Sequence, residues 1–129
     1  MDSLVISSTY AAIFGIIYFA ISLRVGNYRR QTSISFGDGE DANFLKIIRA
    51  QQNFAEYVPI ALLLGLLVEY RGASAVLVHV VFGLLLVGRV SHYLQLTSVL
   101  KSIVFRMLGM LLTFSSILTS SIFLLLKAV

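Results

Sequence analysis

The sequence predicts an all-α membrane protein, a bundle of four transmembrane helices. Three observations carry that prediction. Hydrophobic residues make up 58% of the chain and charged residues only 12%, against about 25% charged in an average soluble domain. Two long runs, residues 4–23 and 107–126, carry no charge at all. Between them lie two further apolar runs, 50–68 and 73–96, broken by a few polar side chains. The 129 residues fit one domain, 1–129. With no cysteine, disulfides, thiolate metal sites and a cysteine nucleophile are excluded. No basic face with interleaved aromatics stands outside the apolar runs, which argues against nucleic acid as a partner.

The elements follow in order. Residues 4–23 are long enough to cross roughly 30 Å of hydrocarbon. The preceding Asp2, with no basic n-region and no small-residue cleavage site, marks this run as a retained helix rather than a signal peptide. Residues 25–41 form the one long polar loop, turning at Gly37-Asp38-Gly39. The second helix covers 50–68, with Pro59 inside it removing one donor and threatening a kink. A tight hairpin, 69–74, follows, with Gly72 as breaker and Ser74 as N-cap of the third helix, 73–96. The fourth helix covers 107–126. Gly109, Thr113, Ser116 and Ser120 on it, and Ser8, Ala12 and Gly15 on the first, make two small-residue stripes suited to close helix packing.

Lysine and arginine set the orientation. Arg24, Arg29, Arg30 and Lys46 flank the first loop, and Lys101 and Arg106 the third; the second holds Arg71 alone, beside Glu69. The first and third loops are therefore expected in the cytoplasm. That topology gathers the unusual polar residues at one end: Arg24 closing helix one, Arg49, Asn53 and Glu56 opening helix two, Arg89, His92 and Tyr93 closing helix three, and Arg106 opening helix four. Arg49, Asn53 and Glu56 repeat at helical spacing and form one stripe, with Glu56 roughly 10 Å along the axis from Arg49. A charge at the membrane centre costs about 2.5–3.5 kcal/mol on insertion scales, so such groups turn toward the protein and mark function. The expected arrangement is a polar pocket between helices, open to the cytoplasm.

An arginine–glutamate pair can simply hold helices in register. Here, however, Arg24, Arg49, Arg89 and Arg106 outnumber Glu56, and surplus buried cations call for an anionic ligand. Other polar residues have simpler assignments. His79 stands alone in the apolar part of helix three and suits an interhelical hydrogen bond, with no companion for a metal. Arg29 and Arg30 read as a solvated headgroup face, and Tyr10, Tyr18 and Tyr28 as packing or interface aromatics. No serine stands in an order suggesting a nucleophile.

The segment "RAQQNFAEYVP" (residues 49–59) resembles the signature of the MAPEG family, the membrane-associated proteins of eicosanoid and glutathione metabolism. "LLVGRVSHY" (85–93) is similar to that family's third-helix arginine segment. "RMLGML" (106–111) and "GDGED" (37–41) resemble its bacterial branch. The resemblance implies a four-helix protomer in a homotrimer, with glutathione as co-substrate between neighbouring subunits and no metal. It assigns glutathione binding to Arg49, Gln51, Asn53, Glu56, Tyr57 and Arg89, to His92 or Tyr93, and to Arg24 from a neighbouring subunit. It gives Arg106 the catalytic role of stabilising the thiolate, with Lys101 as the alternative. The implied activity is a glutathione transferase, with or without peroxidase activity, that conjugates lipophilic electrophiles arriving from the bilayer of a bacterial inner membrane. Two other classes stand beside it: a non-catalytic binder of lipid or glutathione on the same scaffold, and a small four-helix transporter.

Overall fold

The protein folds as four helices: α1 (Val5–Thr32), α2 (Ala42–Tyr70), α3 (Ala75–Leu96) and α4 (Val104–Ala128). The structure is a computed structural model that describes residues 4–128; Asp2 lies outside the described residues. All four helices are long and apolar enough to span a bilayer, and the chain is a multi-pass membrane protein. They run up, down, up, down. α3 and α4 share the most extensive seam, while α1 rests on α2 and α3.

Hydropathy placed the spans correctly but not the helix ends. α1 continues to Thr32 instead of stopping at Leu23, and α2 starts at Ala42 instead of Ala50. The expected loop of residues 25–41 shrinks to 33–41, and α4 begins at Val104. The reason is physical: an apolar window measures how much of a helix lies in lipid, whereas the helix extends as long as its backbone bonds and caps support it. Asp41 supplies such a cap, accepting from the amides of Asn43 (2.9 Å) and Phe44 (3.1 Å). Its other oxygen accepts the Tyr28 hydroxyl at 2.7 Å. The Tyr28 bond and these amides hold the Asp41 carboxyl below the ordinary carboxylate range.

Arg29 is also tied into this loop and not simply solvated. It donates to the carbonyls of Ile34, Ser35 and Gly37, and its guanidinium lies 4.9 Å from the Phe44 ring centre. Gly37 and Gly39 take left-handed φ of +64° and +62° at the expected turn.

Lipid is as apolar as the core, so helix association here depends on close packing and interhelical hydrogen bonds. The α3–α4 seam shows both. A Cβ on Gly109 would stand 2.6 Å from the carbonyl oxygen of Gly88, so the two backbones meet. Ser116 donates to the Val81 carbonyl at 2.8 Å, and Gly109, Thr113, Ser116 and Ser120 are all buried. Across α2 and α3, the ring of Phe82 covers Gly65 so closely that a methyl group there would overlap it. Tyr10 stacks on Phe82, Tyr18 on Phe54 and Tyr28 on Phe44, in line with their reading as packing aromatics. α2 runs on as helix through Pro59.

The short 69–74 turn fastens the opposite end of the bundle. Ser74 caps α3, accepting from Leu77, and Gly72 has φ +76°. Glu69 reaches across to accept from the amides of Ile6 (3.1 Å) and Ser7 (2.7 Å), the unpaired donors that open α1. Arg71 donates to the Lys127 carbonyl at the close of α4. An anion thus meets a helix N-terminus and a cation a C-terminus, each with the sign the helix dipole favours.

Candidate functional site

The polar end is organised around Arg89, whose residue surface is 1% exposed. Its Nε donates to Thr113 Oγ1 at 2.8 Å, and its Nη1 to Asn53 Oδ1 at 2.6 Å. Its Nη2 faces the Gly109 carbonyl (3.4 Å) and Met110 Sδ (3.2 Å). The guanidinium carbon sits 5.0 Å from the centre of the Tyr57 ring. One side chain therefore ties α2, α3 and α4 together. Each partner is neutral, so the charge is solvated by carbonyl, amide, hydroxyl and π electrons and not cancelled by a carboxylate. Thr113 completes the arrangement by donating on to the Gly109 carbonyl at 2.9 Å.

Arg49 and Arg106 are at the same end. Arg49 lies one turn before Asn53, and Arg106 one turn before Gly109; both Asn53 and Gly109 bond Arg89. Their surroundings differ from those of Arg89. Arg49 is exposed and donates to Gln52 Oε1 at 3.3 Å, and Glu56, two turns further along α2, is exposed as well. The helix-two stripe is therefore split. At about 100° per residue, Asn53 and Tyr57 turn one way from Arg49, and Gln52 and Glu56 the other. Asn53 and Tyr57 enter the bundle; Arg49 and Glu56 point out of the protomer.

Arg106 is exposed on α4. It lies on a shallow, open groove along the outer face of α4, formed with Ile103, Val104, Met107, Leu108, Met110, Leu111 and Phe114 and with no facing wall in the protomer. Arg106 is the one charged residue in that lining.

The model of the MAPEG family matches residues 7–126, a stretch that takes in all of this site and most of each helix. The chain is a member of the MAPEG family. It is also 35% identical over 88 residues to the inner membrane protein YecN in two Escherichia coli strains, an alignment covering 68% of this chain and 67% of YecN. No solved structure matches.

Within this MAPEG protomer the remaining candidates fall into two groups. Arg89 and His92 are core residues. His92 is 3% exposed and packs on Gly109, where an added Cβ would come within 2.9 Å of the His92 Cβ. Arg24, Gln51 and Tyr93 belong to the α1 side: Arg24 Nη1 donates to the Tyr93 hydroxyl (3.2 Å) and Gln51 Nε2 to Ser22 Oγ (3.2 Å). Lys101 is exposed in the α3–α4 loop, outside the Arg106 groove. His79 approaches Tyr10 of α1 with Nδ1 3.4 Å from the hydroxyl, the interhelical contact expected of it.

Sequence reading missed the Arg89 partners on α4. Gly109 and Thr113 had been read only as packing residues, yet they also accept from the guanidinium. Their i, i+4 spacing on α4 was the available signal. It also missed Glu69, whose clue was an acid at the end of α2 opposite an α1 that begins without a side-chain cap of its own.

Proposed function

We propose that this protein is a membrane-bound glutathione transferase acting as a homotrimer, with glutathione held between neighbouring protomers against the Arg49–Glu56 face of α2. The observation that carries the reading is Arg106, a lone guanidinium at the rim of an otherwise apolar, outward-facing groove. It lies at the same end as the outward-facing Arg49, Gln52 and Glu56. Ionisable groups that face out of a protomer within a membrane call for cover, and a second copy of the chain supplies it at no cost in new sequence. YecN is named as an inner membrane protein; the same membrane, with the arginine-rich end in the cytoplasm, fits the distribution of Lys and Arg here.

The chemistry follows from the residues. Arg49 offers a planar fork to a carboxylate, and Glu56 an acceptor to an ammonium group. A free thiol with pKa about 8.5 is only about 3% ionised at neutral pH. Arg106 cannot remove its proton, because guanidinium stays charged. It can stabilise the thiolate by its charge, and a lowering of about 2 units makes the thiolate the major form. The thiol proton passes to water. The sulfur electron pair then forms a bond to the electrophilic carbon; a leaving group departs with the displaced pair, or the oxygen of a strained ring takes that pair, stays attached through its other carbon and gains a proton from water. Arg89 acts as a positioning residue: it holds Asn53 and the start of α4, and so sets where Arg49 and Arg106 stand.

The test is Arg106→Ala in the full-length protein, with glutathione and a chromogenic electrophile. The expected result is loss of the ultraviolet thiolate absorbance and a conjugation rate about a hundredfold lower. An unchanged absorbance and rate would remove Arg106 from catalysis. Calorimetric binding of glutathione by the wild-type protein with no turnover of any electrophile would make the protein a binder on this scaffold.

A further inference from the structure

We propose that the cleft enclosed by the end of α1, the start of α2 and the α3–α4 loop binds a phosphate group at headgroup depth. Its source is an anionic membrane lipid or a soluble phosphate. The cleft has a volume of about 280 Å³, and Arg24, Tyr28, Asn43, Lys46, Thr97 and Ser98 form most of its wall.

Two cations from different helices enter it, and each is held only by a neutral hydroxyl. Arg24 donates to the Tyr93 hydroxyl at 3.2 Å, and Lys46 Nζ to Ser98 Oγ at 3.4 Å. The nearby acid is Asp41, whose oxygens are taken by the Tyr28 hydroxyl and the amides of Asn43 and Phe44. Two positive groups against one committed carboxylate leave the cleft cationic.

Depth supports the assignment. Arg24 directly follows the apolar run that ends at Leu23, and Thr97 and Ser98 directly follow the end of α3 at Leu96. Asn43 and Lys46 stand in the first turns of α2. All of these positions mark the boundary between hydrocarbon and headgroups. Basic pockets between transmembrane helices at this level suit lipid headgroups. A tetrahedral phosphate offers oxygens in several directions, matching donors that come from three segments, with Arg24 able to engage two of them at once.

The cleft shares Arg24 with the glutathione contacts that the family resemblance implies, and its other cation, Lys46, stands one turn before Arg49 on α2. Lys46 lies about 60° around α2 from Arg49, and Ile47, which also lines the cleft, about 160° from it. K46Q alone, which leaves Arg24 in place, tells the two proposals apart: it should weaken phosphate and lipid binding while leaving glutathione binding unchanged.

The experiment measures lipid retained by the full-length protein, using native mass spectrometry after reconstitution with equal phosphatidylglycerol and phosphatidylcholine. Wild type is compared with R24Q/K46Q, with the conservative R24K/K46R, and with R30Q, an exposed arginine outside the cleft. The expected result is selective retention of phosphatidylglycerol by wild type, weakened about thirtyfold in R24Q/K46Q at about fivefold per surface cation. R30Q should behave like wild type, and R24K/K46R, which keeps both charges but loses the Arg24 fork, should retain phosphatidylglycerol more tightly than R24Q/K46Q and less tightly than wild type. Displacement of the lipid by inorganic phosphate assigns the recognition to the phosphate group. Phosphate binding that depends on Arg24 and Lys46, without lipid selectivity, assigns the source to solution. If R24Q/K46Q retains lipid and phosphate as wild type does, or if R30Q loses as much, the proposal is wrong. Should the double variant lose its helical circular dichroism, K46Q alone is read by the same criteria.

Discussion

Two small-residue stripes look alike in this sequence and have opposite fates. On α4, Gly109, Thr113, Ser116 and Ser120 are buried against α3. On α1, Ser8, Ala12 and Gly15 are exposed, and nothing lies within 4 Å of where a Gly15 Cβ would be. Small side chains permit close approach but do not cause it. The α4 stripe closes because it meets glycine at Gly88, the carbonyl of Val81 and the guanidinium of Arg89. The α1 stripe meets no such group within the protomer; there Ser8 and Thr9 bond back to their own helix. α1 is held instead by Phe14 and Ile21 against Phe54, Val58 and Leu85, and by the Glu69 cap.

The strongest way to break this contrast is Arg89→Ala. It removes the tie among three helices and leaves Asn53 and Thr113 short of a partner. A loss of about 3 kcal/mol or more is expected, read as a lower unfolding midpoint in detergent. Gly109→Ala comes next. A methyl group within 2.6 Å of the Gly88 oxygen and 2.9 Å of the His92 Cβ forces α3 and α4 apart. Overpacking of that kind costs about 2 kcal/mol, and cysteine crosslinking across the seam should slow with it.

Acid sharpens the comparison from the other side. The folded Asp41 carboxyl is held below its ordinary value, so its contribution is complete above the unfolded pKa and is lost as pH falls through the folded one. Lowering the pH below the usual carboxylate range should lower the protection of the Asn43 and Phe44 amides, relative to intrinsic exchange at the same pH, while leaving the α3–α4 seam unchanged. Gly15→Ala has the smallest effect. With open space around it, the change should stabilise the protomer by about 0.5 kcal/mol through helix propensity. A large loss there would mean that the α1 stripe is packed after all.

The four spans, the turn at Gly37 to Gly39 and the Ser74 cap were legible because composition, breakers and caps act over a few residues. So was the gathering of Arg49, Arg89 and Arg106 at one end, since alternating spans return every odd-numbered loop to the same side. The helix ends were not legible. Residues 24–32 are polar enough to look like loop, and 42–49 fall short of the apolar span because of Asn43, Lys46 and Arg49, yet the helical backbone continues through both, closed by Asp41 and by the Arg29 bonds to the loop carbonyls. The division of the helix-two stripe was also out of reach. Arg49, Asn53, Glu56 and Tyr57 fall within a broad arc, and which part of it faces inward depends on how α2 is rotated against α3 and α4.

Composition and order alone determined a membrane protein of four antiparallel spans with Arg24, Arg49, Arg89 and Arg106 at one end, because hydropathy and chain reversal are local properties. Tertiary structure alone decided which arginine is a buried strut and which two face outward. The identical guanidinium side chain acquires its role from its neighbours: Arg89 meets Asn53, Thr113 and Gly109 from two other helices, whereas the neighbours of Arg49 and Arg106 leave them exposed.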